Sequence, residues 1–180
     1  MPYEIIHGNT FISDGGNTLH LLSRLVDLDV RLTGDQTKNE TYIRKWTDIF
    51  ETRPENWALL AYDEAIVGYV SMLRLSSKLF DSLLAGSVQE DDITVAQATA
   101  EHEQYEIFVS MMLVEPQHRP AGTRLIVGTY LNIISDIRAR GTRVGTVATT
   151  PEGRRMAIRR FQMLPMHGNP ACPHLTTQPE

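Results

Sequence analysis

A chain of 180 residues is long enough for one domain with its own core, and 42% hydrophobic against 22% charged residues is the balance of a globular protein, not a disordered one. The net charge of −5 and a pI near 5.7 give no overall footprint for nucleic acid or an anionic membrane. No apolar run reaches the roughly 18 residues of a membrane span, residues 1–11 lack the layout of a secretion signal, and the single Cys172 excludes an internal disulfide, so a cytoplasmic setting is expected.

In chain order, "YEIIHG" at residues 3–8 predicts a short strand, and "SDGGN" marks a turn. Leu21, Leu25, Leu28 and Leu32 recur at helical spacing over 18–32, and Thr33-Gly34 ends that run. A second helix over 40–52 gathers Tyr42, Ile43, Trp46, Ile49 and Phe50 on one face, opposite Arg44, Lys45 and Asp48. The period then changes. Two apolar runs, 57–62 and 66–75, are split by Asp63-Glu64-Ala65, a connection short enough to require antiparallel strands.

Residues 76–104 are polar and acidic and too long for an ordinary connection. They predict an insertion, with some structure of its own or as a mobile flap, that makes few core contacts. "YEIFVSMMLV" at 105–114 reads as a central strand. A helix over 123–140 carries Ile126, Tyr130, Ile133, Ile134 and Ile137 and closes with Arg138, Arg140 and Gly141. A strand over 143–149 and a last helix opened by Pro151 and reaching about Phe161 complete the list. Strand, helix, strand over 105–149 predicts a parallel pair, so the sheet is mixed.

The stretch "VEPQHRPAGTR" has the layout of an anion-binding turn, because a strand end passes through a Pro- and Gly-marked loop into a helix whose first N–H groups are unpaired. It resembles the loop V-x-P-x-x-R-G-x-G-x-G/A of the GNAT superfamily of acyl-CoA-dependent N-acyltransferases, matching at Val114, Pro116, Arg119 and Gly122. "YDEAIVGYVSM", with Gly68, is similar to that family's second and third strands, and "RFQMLPM" to its closing L-Y-x-x-x-G-F. The resemblance runs from about Tyr3 to Met166. It implies a GNAT-like α/β (α+β) fold: a mixed, mostly antiparallel central sheet with a parallel pair at the cofactor loop and helices on both faces. A single domain over 1–166 would carry the 76–104 insertion between its third and fourth strands, and 167–180 would form a C-terminal tail. That tail is shorter than the family's two final strands, so sheet closure is expected to be incomplete or supplied by another chain.

The resemblance further implies acetyl-CoA or another acyl-CoA as cofactor. Backbone amides over 117–124 (Gln117, His118, Arg119, Ala121, Gly122, Thr123 and Arg124) would cradle its pyrophosphate, and the strand end Leu113-Val114 would pair with its pantetheine. Two positions depart from the pattern. Pro120 removes a donor, and Arg124 stands where Gly or Ala is usual, where its guanidinium either pairs with phosphate or fills the space.

Acyl transfer to an amine needs a base and an acid. By resemblance Glu106, thirteen residues before Arg119, is the candidate catalytic base, flanked by Tyr105, Ile107 and Phe108; read from its residues alone, it is equally a solvent-facing carboxylate near a strand start. The family's frequent acid, a tyrosine, is Phe161 here, and Pro165 and Met166 replace its Gly and Phe. His167, Cys172 and His174 sit in a Pro-rich tail and match no closed zinc motif, so no metal is expected. Glu90, Asp91 and Asp92 suit a solvated loop or an attraction for a cationic substrate. "RRMAIRR" at 154–160 is either a solvated helix face or a patch for a cofactor phosphate, nucleic acid or an acidic partner.

Two functions follow from this reading. One is an acyltransferase moving an acetyl or other acyl group from acyl-CoA to a small-molecule or protein amine. The other is a catalytically degenerate GNAT-fold protein, a pseudoenzyme serving as a structural or binding subunit of a larger assembly such as a virus particle. A homo-oligomer or larger assembly is compatible with both, and neither calls for a membrane or a clear nucleic-acid partner.

Overall fold

The computed structural model describes residues 2–34, 37–138, 141–148, 150–165 and 174–177. Strands β1 (Tyr3–His7), β2 (Trp57–Tyr62), β3 (Ala65–Leu75), β4 (Glu106–Val114), β5 (Val144–Val147), β6 (Leu164–Pro165) and β7 (His174–Thr176) form a sheet of order β1-β2-β3-β4-β5-β7-β6. Its β1–β2, β2–β3, β5–β7 and β6–β7 pairs are antiparallel, and β4–β5 is parallel. The helices are α1 (Gly8–Ser13), α2 (Thr18–Thr33), α3 (Glu40–Thr52), α4 (Ser77–Leu84), α5 (Val95–Thr99), α6 (Ala121–Arg138) and α7 (Pro151–Arg160). Contacts group the chain into two compact units, Met1–Ser71 with Met111–Thr129, and Met72–Ser110 with Tyr130–Glu180.

In the first unit the helices begin and end where local chemistry dictates. Asn17 caps α2 by accepting from the His20 amide at 2.9 Å, and Gly34 ends it in the left-handed region at φ 77°. Asn39 caps α3, accepting from the Tyr42 amide at 3.1 Å. The predicted α3 face is the buried one: Trp46, Ile49 and Phe50 are enclosed, while Tyr42 and Ile43 are half-buried. Trp57 of β2 meets Trp46 and Phe50 and stacks on Tyr69, giving this unit an aromatic core. The β2–β3 connection turns through Asp63 and Glu64, both with positive φ (52° and 62°), as a tight hairpin requires. Helix α1 was not foreseen, because its six residues are too few to show a period.

The second unit corrects two expectations. The insertion is not peripheral: Phe80, Leu83 and Leu84 of α4, with Ile93 and Ala98 farther on, are buried. Phe80 and Leu84 lie so close to Gly145 of β5 that a Cβ there would be 2.8 Å from the Phe80 ring. Its overall polarity masks one short amphipathic helix, which is enough to seat it. The tail is not a free end either. It supplies β7, with Leu175 and Thr177 buried; Thr177 Oγ1 accepts from the Val144 amide at 2.9 Å, and the Thr177 amide donates to the Val144 carbonyl at 2.8 Å. Closure of the sheet edge therefore comes from this chain itself, in strands of two and three residues, too short to announce themselves by alternation. Residues 166–173 and 178–180, with Met166, His167 and Cys172, lie outside the described residues.

Candidate functional site

The cofactor-loop residues named from the sequence all fall in the first unit. Leu113 and Val114 end β4, Gln117 and His118 lie in a 3-10 turn (Pro116–His118), and Ala121, Gly122, Thr123 and Arg124 form the first turn of α6. The turn is fastened at its base by the Glu115 amide, which donates to the Val67 carbonyl of β3 at 2.9 Å. A Cβ on Gly68 would stand 2.6 Å from the Leu113 carbonyl oxygen, so only glycine permits this approach of strand to turn.

The amide accounting narrows the expected cradle. The His118 amide donates to the Glu115 carbonyl (2.9 Å), the Arg119 amide to Pro116 (3.2 Å) and the Arg124 amide to Pro120 (2.9 Å), while Pro120 has no N–H. That leaves the Gln117 amide in the 3-10 turn and, at the positive end of α6, the three consecutive amides of Ala121, Gly122 and Thr123 without a backbone acceptor among the described residues; the first turn of α6 holds no acidic residue. The α6 helix starts two residues earlier than its apolar period suggests, because the Pro120 carbonyl accepts its first hydrogen bond. Arg119 folds back, Nε donating to the Val114 carbonyl at 2.9 Å, and the Arg119–Pro120 peptide is cis. Arg124 is exposed. Gly122 is buried, and a Cβ there would meet Leu60 Cδ2 at 2.7 Å, so this glycine serves close helix-on-strand packing.

Four residues that sequence reasoning did not single out hold this turn: Tyr3, Arg31, Tyr62 and Glu115. Arg31 pairs with Glu115 at 3.1 Å, and the rings of Tyr3 and Tyr62 lie 5.9 and 5.0 Å from that of His118. No local pattern could reveal them, since Tyr3 and His118 are 115 residues apart.

In the second unit Glu106 opens β4. Its carboxylate accepts from the Arg143 amide (2.7 Å), Arg143 Nε (3.0 Å) and Ser77 Oγ (3.1 Å), so three of its four lone-pair positions are filled by protein donors. Arg143 also reaches Asp81 at 2.7 Å. These bonds, that to Asp81 first, raise the guanidinium pKa above its ordinary value against the opposing effect of burial. The side chain expected to be a base thus tethers the starts of β4 and β5. Parallel pairing covers Ile107↔Val144, Phe108↔Gly145 and Val109↔Thr146, and among the described residues β4 has no β5 partner beyond Val109. Ser110, the next residue, donates to Glu90. The acidic run is thereby divided, with Glu90 half-buried and Asp91 and Asp92 exposed. Phe161 is buried. On α7, Arg154, Arg155, Arg159 and Arg160 are exposed.

Among the described residues no group of three His, Cys, Asp or Glu side chains is placed to hold a metal ion, and no helix is long and apolar enough to cross a membrane.

No protein-family model matches the chain, and no curated protein matches it. Solved structures do. Arabidopsis thaliana Naa50, in complex with the bisubstrate analogue CoA-Ac-MVNAL, is similar with a TM-score of 0.58 at 13% identity over 99% of both chains. PaiA N-acetyltransferase from Thermoplasma acidophilum, in complex with coenzyme A, gives 0.52 at 10% identity over 99% of both. A GNAT-family acetyltransferase from Bacillus cereus gives 0.52 at 10% identity over 100% of this chain and 99% of that one. The fold is the GNAT fold.

Proposed function

We propose that this protein is an acyl-CoA-dependent N-acyltransferase. The observation that carries the reading is the set of unbonded amides of Ala121, Gly122 and Thr123 at the head of α6, immediately after the end of β4. A helix N-terminus with three consecutive free donors suits a pyrophosphate. Arg124, exposed on the same turn, adds a charge-assisted contact. The edge of β4 at Leu113 and Val114 offers backbone groups to an extended amide arm. The fold is one in which Naa50 and PaiA have been seen with a coenzyme A analogue and coenzyme A.

Acyl-CoA would supply the electrophile, an acyl thioester, to a small-molecule or protein amine. This chain's part is to hold the phosphates through the α6 amides and Arg124 and to align the arm along β4. A proton-accepting role for Glu106 would require loosening its bonds to Arg143 and Ser77, so the proposal rests on the cofactor side of the site.

Titration with acetyl-CoA by calorimetry tests it. Binding tighter than about 10 μM, roughly 7 kcal/mol, is the expected result, and no heat at millimolar ligand overturns the proposal. One observation favours a second reading, a GNAT-fold protein that binds without turnover: Phe161, at the position where the sequence resemblance implies a proton-donating tyrosine, is buried, and Glu106 is occupied. Tight acetyl-CoA binding with no transfer to any amine in a broad acceptor panel would select it.

A further inference from the structure

We propose that His118 is a positioning residue that latches the cofactor turn to the rest of the first unit, an inference that builds on the cofactor reading above. The turn Pro116–His118 is one 3-10 turn with two internal backbone bonds, of 2.9 and 3.2 Å, and it is followed by a proline that donates none. So short a turn is weakly held by its backbone alone. The His118 ring supplies the missing hold.

Nδ1 lies 3.3 Å from the Tyr3 hydroxyl of β1, and Nε2 lies 3.8 Å from Glu115 Oε2. Tyr62 of β2 tilts against the same ring at 5.0 Å and against Tyr3 at 4.8 Å. Glu115 is itself fixed, receiving Arg31 of α2 on Oε1 at 3.1 Å and Gln117 Nε2 on Oε2 at 2.6 Å. The groups facing His118 are thus Tyr3 and Tyr62 from the strands and Glu115 in its own turn, with Arg31 behind Glu115. The side chains of His118 and Glu115 are 14% and 16% exposed, so water screens their interaction only in part.

The Tyr3 hydroxyl and Nδ1 share one hydrogen bond, and Nε2 lies toward Glu115. The turn is therefore held through the His118 ring by Tyr3, Tyr62 and Glu115. The three α6 amides follow that turn directly, so where they point depends on it.

The test begins without ligand. Amide hydrogen exchange of the wild-type protein and of His118→Ala should show faster exchange in the variant at the hydrogen-bonded amides of Glu115, Arg119 and Arg124, with exchange in β2 unchanged. His118→Ala should also weaken acetyl-CoA binding about tenfold, as loss of one coupled partner does, and Tyr3→Phe should do so in part. A His118→Ala protein with unchanged exchange at Glu115, Arg119 and Arg124, or with faster exchange but unchanged affinity, would overturn the latch. Faster exchange at these amides in His118→Ala, with no acetyl-CoA binding by the wild-type protein, would uphold the latch and remove the cofactor reading alone.

Discussion

Tyr130 and Phe161 meet edge to face, with ring centroids 5.2 Å apart and planes at 85°. Both are buried, and the Tyr130 hydroxyl finds no hydrogen-bond partner among the described residues. An unpaired buried hydroxyl costs about 1–3 kcal/mol. Tyr130→Phe is therefore expected to stabilise the protein by about 1 kcal/mol, read as a higher urea midpoint. Burial pushes the Tyr130 phenol well above its ordinary pKa. Below about pH 10 both folded and unfolded chains keep this proton. Above it the unfolded chain releases the proton and the folded one does not, so stability falls as pH rises. Tyr130→Phe should flatten that alkaline slope, and an identical slope in both proteins would refute the assignment.

Arg124 is exposed on the first turn of α6, so its loss should leave the fold intact and act on the ligand. Arg124→Ala is expected to weaken acetyl-CoA binding by about 1.5–3 kcal/mol, the range for a hydrogen bond to a charged group. Calorimetry beside a thermal melt separates the two effects. An affinity gain would mean that the guanidinium competes with the phosphate for its space.

Gly122→Ala asks whether α6 can lift off the sheet. The added Cβ would stand 2.7 Å from Leu60 Cδ2, and Leu60 is fully buried. Overpacking of this kind costs about 1–3 kcal/mol. Urea unfolding should show the loss, and a neutral result would mean that the helix shifts freely.

Asp29 of α2 and Lys38 form an ion pair whose side chains are 3% and 8% exposed. Lys38→Met leaves an uncompensated buried carboxylate, a change expected to cost about 3–5 kcal/mol. Asp29→Leu added to Lys38→Met should recover most of it. If the double variant is no more stable than the single one, the pair is not the cause.

The sequence by itself determined the regular elements whose period and caps are local. Helices α2 and α3 stand within a residue of the runs their apolar period marks, α2 ending at Gly34, and β2, β3 and β4 stand within a residue of their apolar runs. It also placed the candidate cofactor residues together, because they are contiguous in the chain. The tertiary structure decided what depends on distant partners. The 76–104 insertion became core through a few buried side chains in a polar stretch, and β7 forms against the edge that β5 offers, with β6 pairing in turn on β7. Glu106 became a tether because Arg143, 37 residues away, arrives opposite it. The His118 latch joins residues 3, 31, 62 and 115–118, a meeting that no spacing encodes. Helix periods and caps are set by neighbours within a few positions, whereas a side chain's partner across the fold is fixed only when strands and helices pack.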